Sequence, residues 1–325
     1  MSEHDSLPAH PLRVAVIGAG GVGGYFGGRL AQAGHDVTFL VRGATLDALG
    51  TRGLRVESLL GDFTVHPVQA TDDPTDVGVV DAVLVAVKAP QVPEVARSLA
   101  PLLGPGTAVL PLQNGVEATT QLAAALGKER VLGGLCRIIR AIDEPGVIRH
   151  SGGQPSVTFA ELDGHLSERV GRLRRAFEAA GVAVEVPEDI EVAIWEKALF
   201  VSSLGAVAAV ARATIGELRD RPETRGLIEQ GMREVGALAL ARGVRLRPDV
   251  VERSMAFVDT LPASGTTSLQ RDIEAGRPSE LDDQLGAIVR LGQEVDVLTP
   301  VYTFAWACLT PQERRARFGR APAVR

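Results

Sequence analysis

Short apolar runs alternate with helix-like segments through the first half of the chain. The runs that predict buried strands are 12–17, 35–41, 79–87 and 107–112. The segments that predict helices between them are 18–33, 45–52, 92–103 and 116–126. Uninterrupted apolar strands separated by helices are typical of a parallel sheet that is covered on both faces. The pattern therefore predicts right-handed βαβ units and a doubly wound α/β domain.

The pattern changes in the second half. Residues 131–160 are strand-like with Gly and Pro breaks, and we expect them to add strands to the edge of the sheet before a helix (165–180) and a last strand (182–186). After Pro187 the pattern predicts helices only, over 190–212, 222–242, 248–260, 280–295 and 301–308. The expected organisation is a disordered N-terminal tail (1–11), a sheet domain (12–187), a helical domain (188–310) and a C-terminal tail (311–325).

Composition and charge narrow the possible partners. The net charge is −6 and aromatic residues make up 4% of the chain, so neither a basic field nor a stacking surface for nucleic acid is expected. The N-terminus lacks the features of a signal peptide, and the longest apolar run, 198–211, is shorter than the roughly 20 residues that span a bilayer. Cys136 and Cys308 have no metal-binding spacing and are expected to be reduced, mostly buried thiols. We therefore expect a cytoplasmic protein without a metal that acts on a small molecule.

The first strand ends in a glycine-rich turn that opens a helix. Its sequence, GAGGVG at residues 18–23, has the GxGxxG spacing of dinucleotide-binding proteins. Gly18 permits the tight turn, Gly20 lets the backbone approach a pyrophosphate, and Gly23 lets the helix pack closely on the strand. A glycine-rich turn without a ligand is the alternative, and the flanking strands and helix argue against it. The residues expected to contact the cofactor here are Gly18, Gly20, Gly21, Val22 and Gly23.

The end of the second strand indicates which nicotinamide cofactor binds. NAD enzymes carry an Asp or Glu about 20 residues after the glycine motif, where it binds the ribose 2′-hydroxyl. This chain has Val41, Arg42 and Gly43 there, without a carboxylate. Because Arg42 can pair with a 2′-phosphate, the sequence favours NADPH/NADP+. An exposed arginine at a strand end is the alternative.

Polar residues that suit a substrate site follow the predicted strands or lie near later helices. Lys88 ends the strand VLVAVK, and Asn114 follows the strand TAVLPLQ. Lys197 lies in WEK, early in the first helix of the helical half. Ser268 lies in TTSLQ, and Glu280 lies in PSELD at the start of a later helix. Because open α/β sheets bind ligands at the carboxyl ends of their strands, Lys88 and Asn114 are expected to line both the cofactor and the substrate.

The combined pattern resembles the ketopantoate reductase (2-dehydropantoate 2-reductase) family. The resemblance covers residues 12–309 and rests on the glycine motif followed by AGHDVTFLVR, on VKAPQ, QNGVE and WEKALF, and on SxxxD followed by PSELD. It implies a Rossmann domain followed by an all-helical domain of the 6-phosphogluconate dehydrogenase C-terminal type. It also implies the family reaction, in which NADPH passes a hydride to the C2 ketone of a 2-oxo acid, such as ketopantoate in pantothenate biosynthesis.

The resemblance gives these residues roles. Lys197 matches the general acid, and Glu280 matches its acidic partner. Asn114 and Ser268 match residues that hold the substrate, and Lys88 matches a lysine at the junction of cofactor and substrate. The chemistry agrees, because hydride addition builds negative charge on the ketone oxygen, which a lysine ammonium can stabilise and protonate.

Each of these side chains also has a structural alternative. Lys88 can be a solvated strand-end lysine, and Lys197 can extend its ammonium to solvent from a buried helix. Asn114 and Ser268 can be helix N-caps, and Glu280 can be a first-turn acid favoured by the helix dipole. The alternative is weakest for Lys197, because the residues after it are almost wholly apolar and disfavour an idle charge.

Three positions depart from the family pattern. Helical residues four apart share a face, so Lys197, Val201 and Gly205 form a stripe. The family has asparagines at the two positions after the lysine, and a further asparagine where this chain has Ile215. A substrate pocket with Val201, Gly205 and Ile215 offers few partners for a terminal hydroxyl. The sequence leaves two hypotheses. Either the substrate is a 2-oxo acid with an apolar tail, or several 2-oxo acids are accepted; alternatively, ketopantoate is held by Ser202, Ser203 or backbone groups.

Two other functions are open on the sequence alone. A 3-hydroxy-acid dehydrogenase shares the glycine motif and the helix-borne lysine, but the WEK context and the placement of Asn114 in QNG favour the ketopantoate-like enzyme. An NADPH-binding sensor without catalysis is the other, and the presence of both Lys197 and Glu280 argues against it. The expected partner is a small 2-oxo acid, and the oligomeric state, a homodimer included, is left open.

Overall fold

The computed structural model describes residues 11–319, and these residues form two compact units. The first unit comprises residues 11–113 and Thr119–Ile190, and the second comprises Asn114–Ala118 and residues 191–319. The expected N-terminal tail lies outside the described residues except for Pro11. The chain passes into the second unit after Ile190, whereas the sequence suggested a boundary at 187 and did not assign the short segment after Gln113 to the helical half.

The elements follow one another along the chain as alternating strands and helices and then as helices. The strands are β1 (Arg13–Ile17), β2 (Asp36–Leu40), β3 (Leu54–Ser58), β4 (Phe63–Val65), β5 (Gln69–Thr71), β6 (Ala82–Val85), β7 (Ala108–Pro111), β8 (Leu132–Glu144), β9 (Val147–Glu161) and β10 (Ala183–Glu185). The helices are α1 (Gly21–Gln32), α2 (Ala44–Arg52), α3 (Val92–Ser98), α4 (Ala118–Leu126), α5 (Glu168–Ala179), α6 (Ile190–Ala211), α7 (Ile215–Arg219), α8 (Pro222–Ala241), α9 (Val250–Thr260), α10 (Ser268–Glu274), α11 (Ala287–Glu294) and α12 (Pro300–Phe318).

Five strands of the first unit form a parallel sheet in the order β5-β2-β1-β6-β7. Every neighbouring pair in this sheet is parallel, and β6 and β7 are buried along their whole length. The order runs outward from β1 in both directions, which is the doubly wound arrangement. The prediction of a Rossmann-like sheet followed by a helical unit is therefore confirmed.

A second sheet of the first unit contains the segment 131–160. Its order is β10-β9-β3-β4, and β8 pairs with β9 as a long antiparallel hairpin. The expectation that this segment adds a few strands to the edge of the parallel sheet is wrong, because apart from one bridge between Val131 and Val109 of β7 its backbone groups pair within the hairpin and with β3 and β10. The partners β3 and β4 come from 54–65, where the apolar pattern predicted no element.

Helix α1 packs closely in the first unit because one face of it consists of glycine. A methyl group on Gly27 would come within 2.7 Å of the Phe39 ring and 2.8 Å of the Val16 side chain, both in the parallel sheet. A methyl group on Gly28 would come within 2.9 Å of Leu54 in the second sheet. Glycine costs a helix about 1 kcal/mol relative to alanine, and here it lets the helix axis approach both sheets.

Helix α6 is the longest helix of the second unit. Its 22 residues agree with the helix predicted over 190–212, and by length and composition it could cross a membrane. However, 67% of its most apolar 18-residue window is buried inside the protein. Its buried side chains, such as Leu199 and Leu204, belong to the apolar core that α8, α11 and α12 share. The apolar sequence of α6 is therefore accounted for by this core.

The two cysteines differ in burial. Cys136 in β8 is buried, as expected, and its thiol donates to the Leu112 carbonyl. Cys308 on α12 is exposed, so the expectation that both thiols are mostly buried is wrong for Cys308.

The expected C-terminal tail, 311–325, is wrong up to Phe318, because α12 continues to that residue. The Glu313 carboxylate is almost fully buried, and it accepts hydrogen bonds from the backbone N–H and the hydroxyl of Ser279 (3.0 and 2.6 Å). Arg317 donates to Glu313 at 2.5 Å and to the Ser279 carbonyl at 2.6 Å. This network fixes α12 to the segment directly before Glu280.

We expect Glu313→Ala to lower the free energy of unfolding of the second unit by about 3 kcal/mol, because it leaves Arg317 and the Ser279 N–H without their buried acceptor. Both tryptophans, Trp195 and Trp306, lie in this unit, so their fluorescence during urea denaturation reports its unfolding.

Glu229→Ala is the matched control, since Glu229 and Arg233 form the same i,i+4 pair with half-exposed side chains (40% and 53%). The control should change stability by less than about 1 kcal/mol. Equal losses in the two variants would show that the buried network contributes nothing beyond a surface ion pair.

Candidate active site

The glycine turn of the first unit connects β1 to α1. Gly18 has φ +91°, which favours glycine, and its N–H donates to the Leu40 carbonyl at 2.9 Å. A methyl group on Gly23 would overlap the Gly18 carbonyl oxygen and lie 2.9 Å from the Ala86 Cβ. The folded protein itself therefore requires glycine at positions 18 and 23.

Gly20 is different, because the folded protein leaves room for a side chain there. Its φ of −73° suits any residue, and the nearest atom to an added methyl group is the Ile142 Cδ1, at an ordinary 3.7 Å. The first helical hydrogen bond runs from the Gly24 N–H to the Gly20 carbonyl, so the N–H groups of the first turn are available to a ligand. A glycine that packing does not require, at the start of a helix, fits the close approach of a pyrophosphate.

Val22 contributes to this turn through its backbone. Its side chain is half-buried and packs against the core of the first unit. The residue can therefore offer a ligand its N–H group while its side chain anchors the helix.

Arg42 follows β2 with an exposed side chain. Its Nη1 lies 3.6 Å from a Glu94 carboxylate oxygen, and the two side chains are 75% and 68% exposed. A surface pair of this kind contributes little free energy, so Arg42 can exchange this partner for another anion.

Lys88 is exposed at the carboxyl end of β6, as predicted. Gln113, which the sequence analysis did not single out, holds the backbone that leads to it. The Gln113 amide donates to the carbonyls of Val85 and Val87 at 2.9 Å each. This cross-link between β6 and the end of β7 is a tertiary contact with no local sequence signal.

In the second unit, α6 carries Lys197, Val201 and Gly205 at a spacing of four residues. Lys197 and Val201 are half-buried. A methyl group on Gly205 would lie 3.6 Å from Leu269 and 3.9 Å from the Thr267 hydroxyl, both ordinary contacts. The far end of the stripe therefore meets the start of α10, next to Ser268.

Ser268 and Ile215, both predicted to contact the substrate, have different surroundings. The N-cap of α10 is Thr267, whose hydroxyl accepts from the Gln270 N–H at 3.2 Å, so Ser268 is not the capping residue. Ile215 is 6% exposed, and its N–H donates to the Gly265 carbonyl. The Ser268 side chain is half-exposed and does not cap α10. The Ile215 side chain is buried in the core of the second unit.

The serines that were expected to be able to replace the missing amides bond to the core instead. Ser202 and Ser203 are buried, and their hydroxyls lie 2.6 and 2.9 Å from the hydroxyl of Tyr302 on α12. Ser202 also donates to the Ala198 carbonyl at 2.5 Å. These contacts supply the partners that the buried Tyr302 hydroxyl needs, and they turn both serines away from the stripe.

Asn114 and Glu280 belong to neighbouring segments of the second unit. A methyl group on Gly115, next to Asn114, would lie 2.9 Å from the Asp283 carbonyl oxygen. Arg290 donates to Glu117 at 3.0 Å and holds the same segment. Helix α4 begins at Ala118, so Asn114 is not adjacent to a helix start that it could cap.

Glu280 precedes a π-helical turn, Asp282–Gly286, that leads into α11. Its carboxylate accepts from the Gln284 amide at 3.0 Å. Burial, together with the negative charges of Glu280 and Glu117, raises the pKa of Asp283 to about 6. No local sequence pattern marks Asp283, whereas a π-turn beside a predicted catalytic acid is common at functional sites.

Family models match both units of the chain. The model described as Ketopantoate reductase PanE/ApbA matches residues 14–164, and the model described as Ketopantoate reductase PanE/ApbA C terminal matches residues 189–313. The chain belongs to the ketopantoate reductase family. It is therefore an oxidoreductase of the type that reduces a 2-oxo acid with a nicotinamide cofactor.

Relatives of the ketopantoate reductase family match over nearly their full lengths. "Uncharacterized oxidoreductase YkpB" of Bacillus subtilis is 31% identical over 93% of this chain and 99% of its own. A 2-dehydropantoate 2-reductase of Mesorhizobium japonicum is 32% identical over 89% of this chain and 94% of its own. The crystal structure of 2-dehydropantoate 2-reductase from Geobacter metallireducens has a TM-score of 0.86 and 30% identity, covering 92% of this chain and 99% of that one.

If the glycine turn holds a dinucleotide, Gly20→Ala should leave the melting temperature unchanged and weaken dinucleotide binding, measured with NADPH, roughly tenfold or more, because the added methyl group fits the protein but would intrude on the pyrophosphate. Differential scanning fluorimetry and NADPH titration of the same preparation check both parts.

Gly23→Ala is the contrasting variant, and it should destabilise the first unit by about 1–3 kcal/mol through overpacking against the Gly18 carbonyl. If Gly20→Ala bound NADPH as tightly as the wild type, the glycine turn would not be the pyrophosphate site.

Proposed function

We propose that this family member reduces a 2-oxo acid to a 2-hydroxy acid with NADPH and that Lys197 is the proton donor. The observation that carries the proposal is the face of α6, on which half-buried Lys197 is aligned with Val201 and Gly205 beside the start of α10. An ammonium at the end of an otherwise apolar stripe is placed to polarise a carbonyl whose substituent is apolar.

The glycine turn and the end of β2 fit a dinucleotide. The N–H groups of the first turn of α1, including those of Gly21 and Val22, would hold the pyrophosphate. Arg42, where an NAD enzyme has a carboxylate, would pair with the 2′-phosphate, which supports NADPH over NADH. The cofactor supplies the hydride, so the protein has to position the substrate and deliver a proton.

Lys197 would donate that proton to the ketone oxygen as negative charge develops on it. Glu280 would favour the charged form of the lysine, since a nearby carboxylate stabilises an ammonium in a partly dry site. Asn114 and Ser268 would hydrogen-bond the part of the substrate that every 2-oxo acid shares, and Lys88 would lie beside the cofactor.

The substrate side chain is proposed to be apolar. Val201 and Gly205 replace amides, and the hydroxyls of Ser202 and Ser203 bond to Tyr302. A pocket without a partner for a terminal hydroxyl gains nothing from that hydroxyl. Ketopantoate is the second candidate, and the names of the Mesorhizobium and Geobacter relatives favour it.

Lys197→Ala should lower kcat by about 10²–10⁴-fold, the range for a lost general acid, with a smaller effect on the binding of NADPH. NADPH oxidation at 340 nm with a 2-oxo acid measures it. Lys128→Ala, at an exposed lysine of the first unit, is the control and should match the wild type.

Activity of Lys197→Ala within a factor of two of the wild type would remove this residue from the mechanism. Wild-type protein that binds NADPH but oxidises it with none of a panel of 2-oxo acids would instead indicate a non-catalytic sensor.

The ratio of kcat/KM for ketopantoate to that for 2-oxoisovalerate should lie below about 10², whereas a site that binds the hydroxyl reaches about 10⁴ or more. Val201→Asn restores one amide on the stripe and should raise the ratio. A wild-type ratio above about 10⁴ would contradict the apolar pocket and establish ketopantoate as the substrate.

A further inference from the structure

Arg140 of β8 lies against the first residue of α1. Its Nε is 2.6 Å from the position that a methyl group on Gly21 would occupy, and its Cδ is closer still. The aliphatic part of the arginine therefore rests on the Cα of Gly21. The pairing of β8 with β9 shifts register between Ile139 and Arg140, and such irregularities redirect side chains beside functional sites.

One N–H group of the Arg140 guanidinium is left without an acceptor. Its Nε is buried and, within residues 11–319, donates to no hydrogen-bond acceptor. The other arginines of this hairpin are satisfied: Arg137 donates to the Thr158 hydroxyl, and Arg149 pairs with Asp143. Because a buried guanidinium nitrogen without an acceptor is costly, the position of Arg140 points to a ligand.

We propose that Arg140 is a further cofactor-binding residue, whose guanidinium binds the pyrophosphate of the dinucleotide. The inference rests on the cofactor use proposed above and adds a contact that the glycine motif does not contain. An arginine presents its N–H groups in a planar fork that matches phosphate oxygens, and the N-terminus of α1 contributes positive potential at the same point.

The position of Arg140 indicates that it would bind the pyrophosphate and not the 2′-phosphate of the dinucleotide. Gly21 opens α1, where the glycine motif receives the pyrophosphate. The 2′-phosphate is expected at the end of β2, where Arg42 lies. Arg140 should therefore act equally on NADPH and NADH, whereas Arg42 should act on NADPH alone.

Gly21 has its own part in this arrangement. A side chain at position 21 would displace the Arg140 stem, so the glycine makes room for the arginine as well as for the ligand. The two residues should be energetically coupled, and their substitutions should not be additive.

The test is the dissociation constant of NADPH and of NADH for Arg140→Gln, measured by calorimetry on the full chain. We expect both constants to rise by the same factor, roughly 10–100-fold for a lost charge-assisted hydrogen bond. Arg140→Lys should recover part of the loss, and the melting temperature should stay at the wild-type value. Arg137→Gln, on the same strand, is the matched control and should bind both cofactors normally.

Two further variants sharpen the result. Arg42→Ala should weaken NADPH binding and leave NADH binding unchanged. Gly21→Ala should weaken the binding of both cofactors. The double variant with Gly21→Ala and Arg140→Gln should have dissociation constants close to those of whichever single variant binds less tightly.

Binding of both cofactors by Arg140→Gln within twofold of the wild type would overturn the inference, as would a loss confined to NADPH. Either outcome would leave the proposed function intact, because the wild-type protein would still bind NADPH. A wild-type protein that binds neither cofactor would overturn the proposed function along with the inference.

Discussion

The glycine face of α1 is the constraint on which the first unit depends. The same helix has to begin directly against β1, where Gly23 meets the Gly18 carbonyl, and then pass within contact of Val16, Phe39 and Leu54. A Cβ at these positions would push the helix away from the sheets that bury it. A glycine-rich helix is weak by propensity, and here its stability comes from packing. The same glycine motif therefore serves the packing of α1 and the proposed binding of a dinucleotide. Within the motif, Gly20 is the position where packing does not require glycine, so the two roles can be tested separately there.

In the second unit, a buried carboxylate has a comparable role. Glu313 binds the Ser279 backbone and Arg317, so the residue before Glu280 is held by a side chain 34 positions further along the chain. The π-turn that follows exposes the Asp283 carbonyl to the close approach of Gly115. Removal of the carboxylate would therefore disturb the predicted acid as well as the stability of the unit, because the same hydrogen bonds serve both.

The sequence predicted the elements that rest on local patterns and missed those that rest on distant pairing. Parallel strands such as 79–87 and the helices after Pro187 carry strong apolar signals, and the glycine motif carries its own spacing. In contrast, β3 is short and of mixed polarity, and one of its two partners, β9, is about ninety residues away, since Arg55 pairs with Val147. The position of Arg140 beside Gly21 also depends on distant pairing, because the hairpin of β8 and β9 brings the arginine to the start of α1. The spacing of residues within one segment can be read from the sequence, whereas the geometry between distant segments cannot.

Helix α6 shows why a polar residue next to a position in sequence cannot take over the contacts of a side chain at that position. Each residue of a helix is rotated by about 100° from the last, so Ser202 points away from the face that carries Lys197 and Val201. Its hydroxyl is instead hydrogen-bonded to Tyr302, and freeing it would remove one of the two serine partners of that buried phenol. If this stripe lines the substrate pocket, as proposed, it would select a substrate by the size of its side chain but not by a hydroxyl on it. Recognition would then rest on the carboxylate and ketone that all 2-oxo acids share, which would favour a broad substrate range over a single hydroxylated substrate.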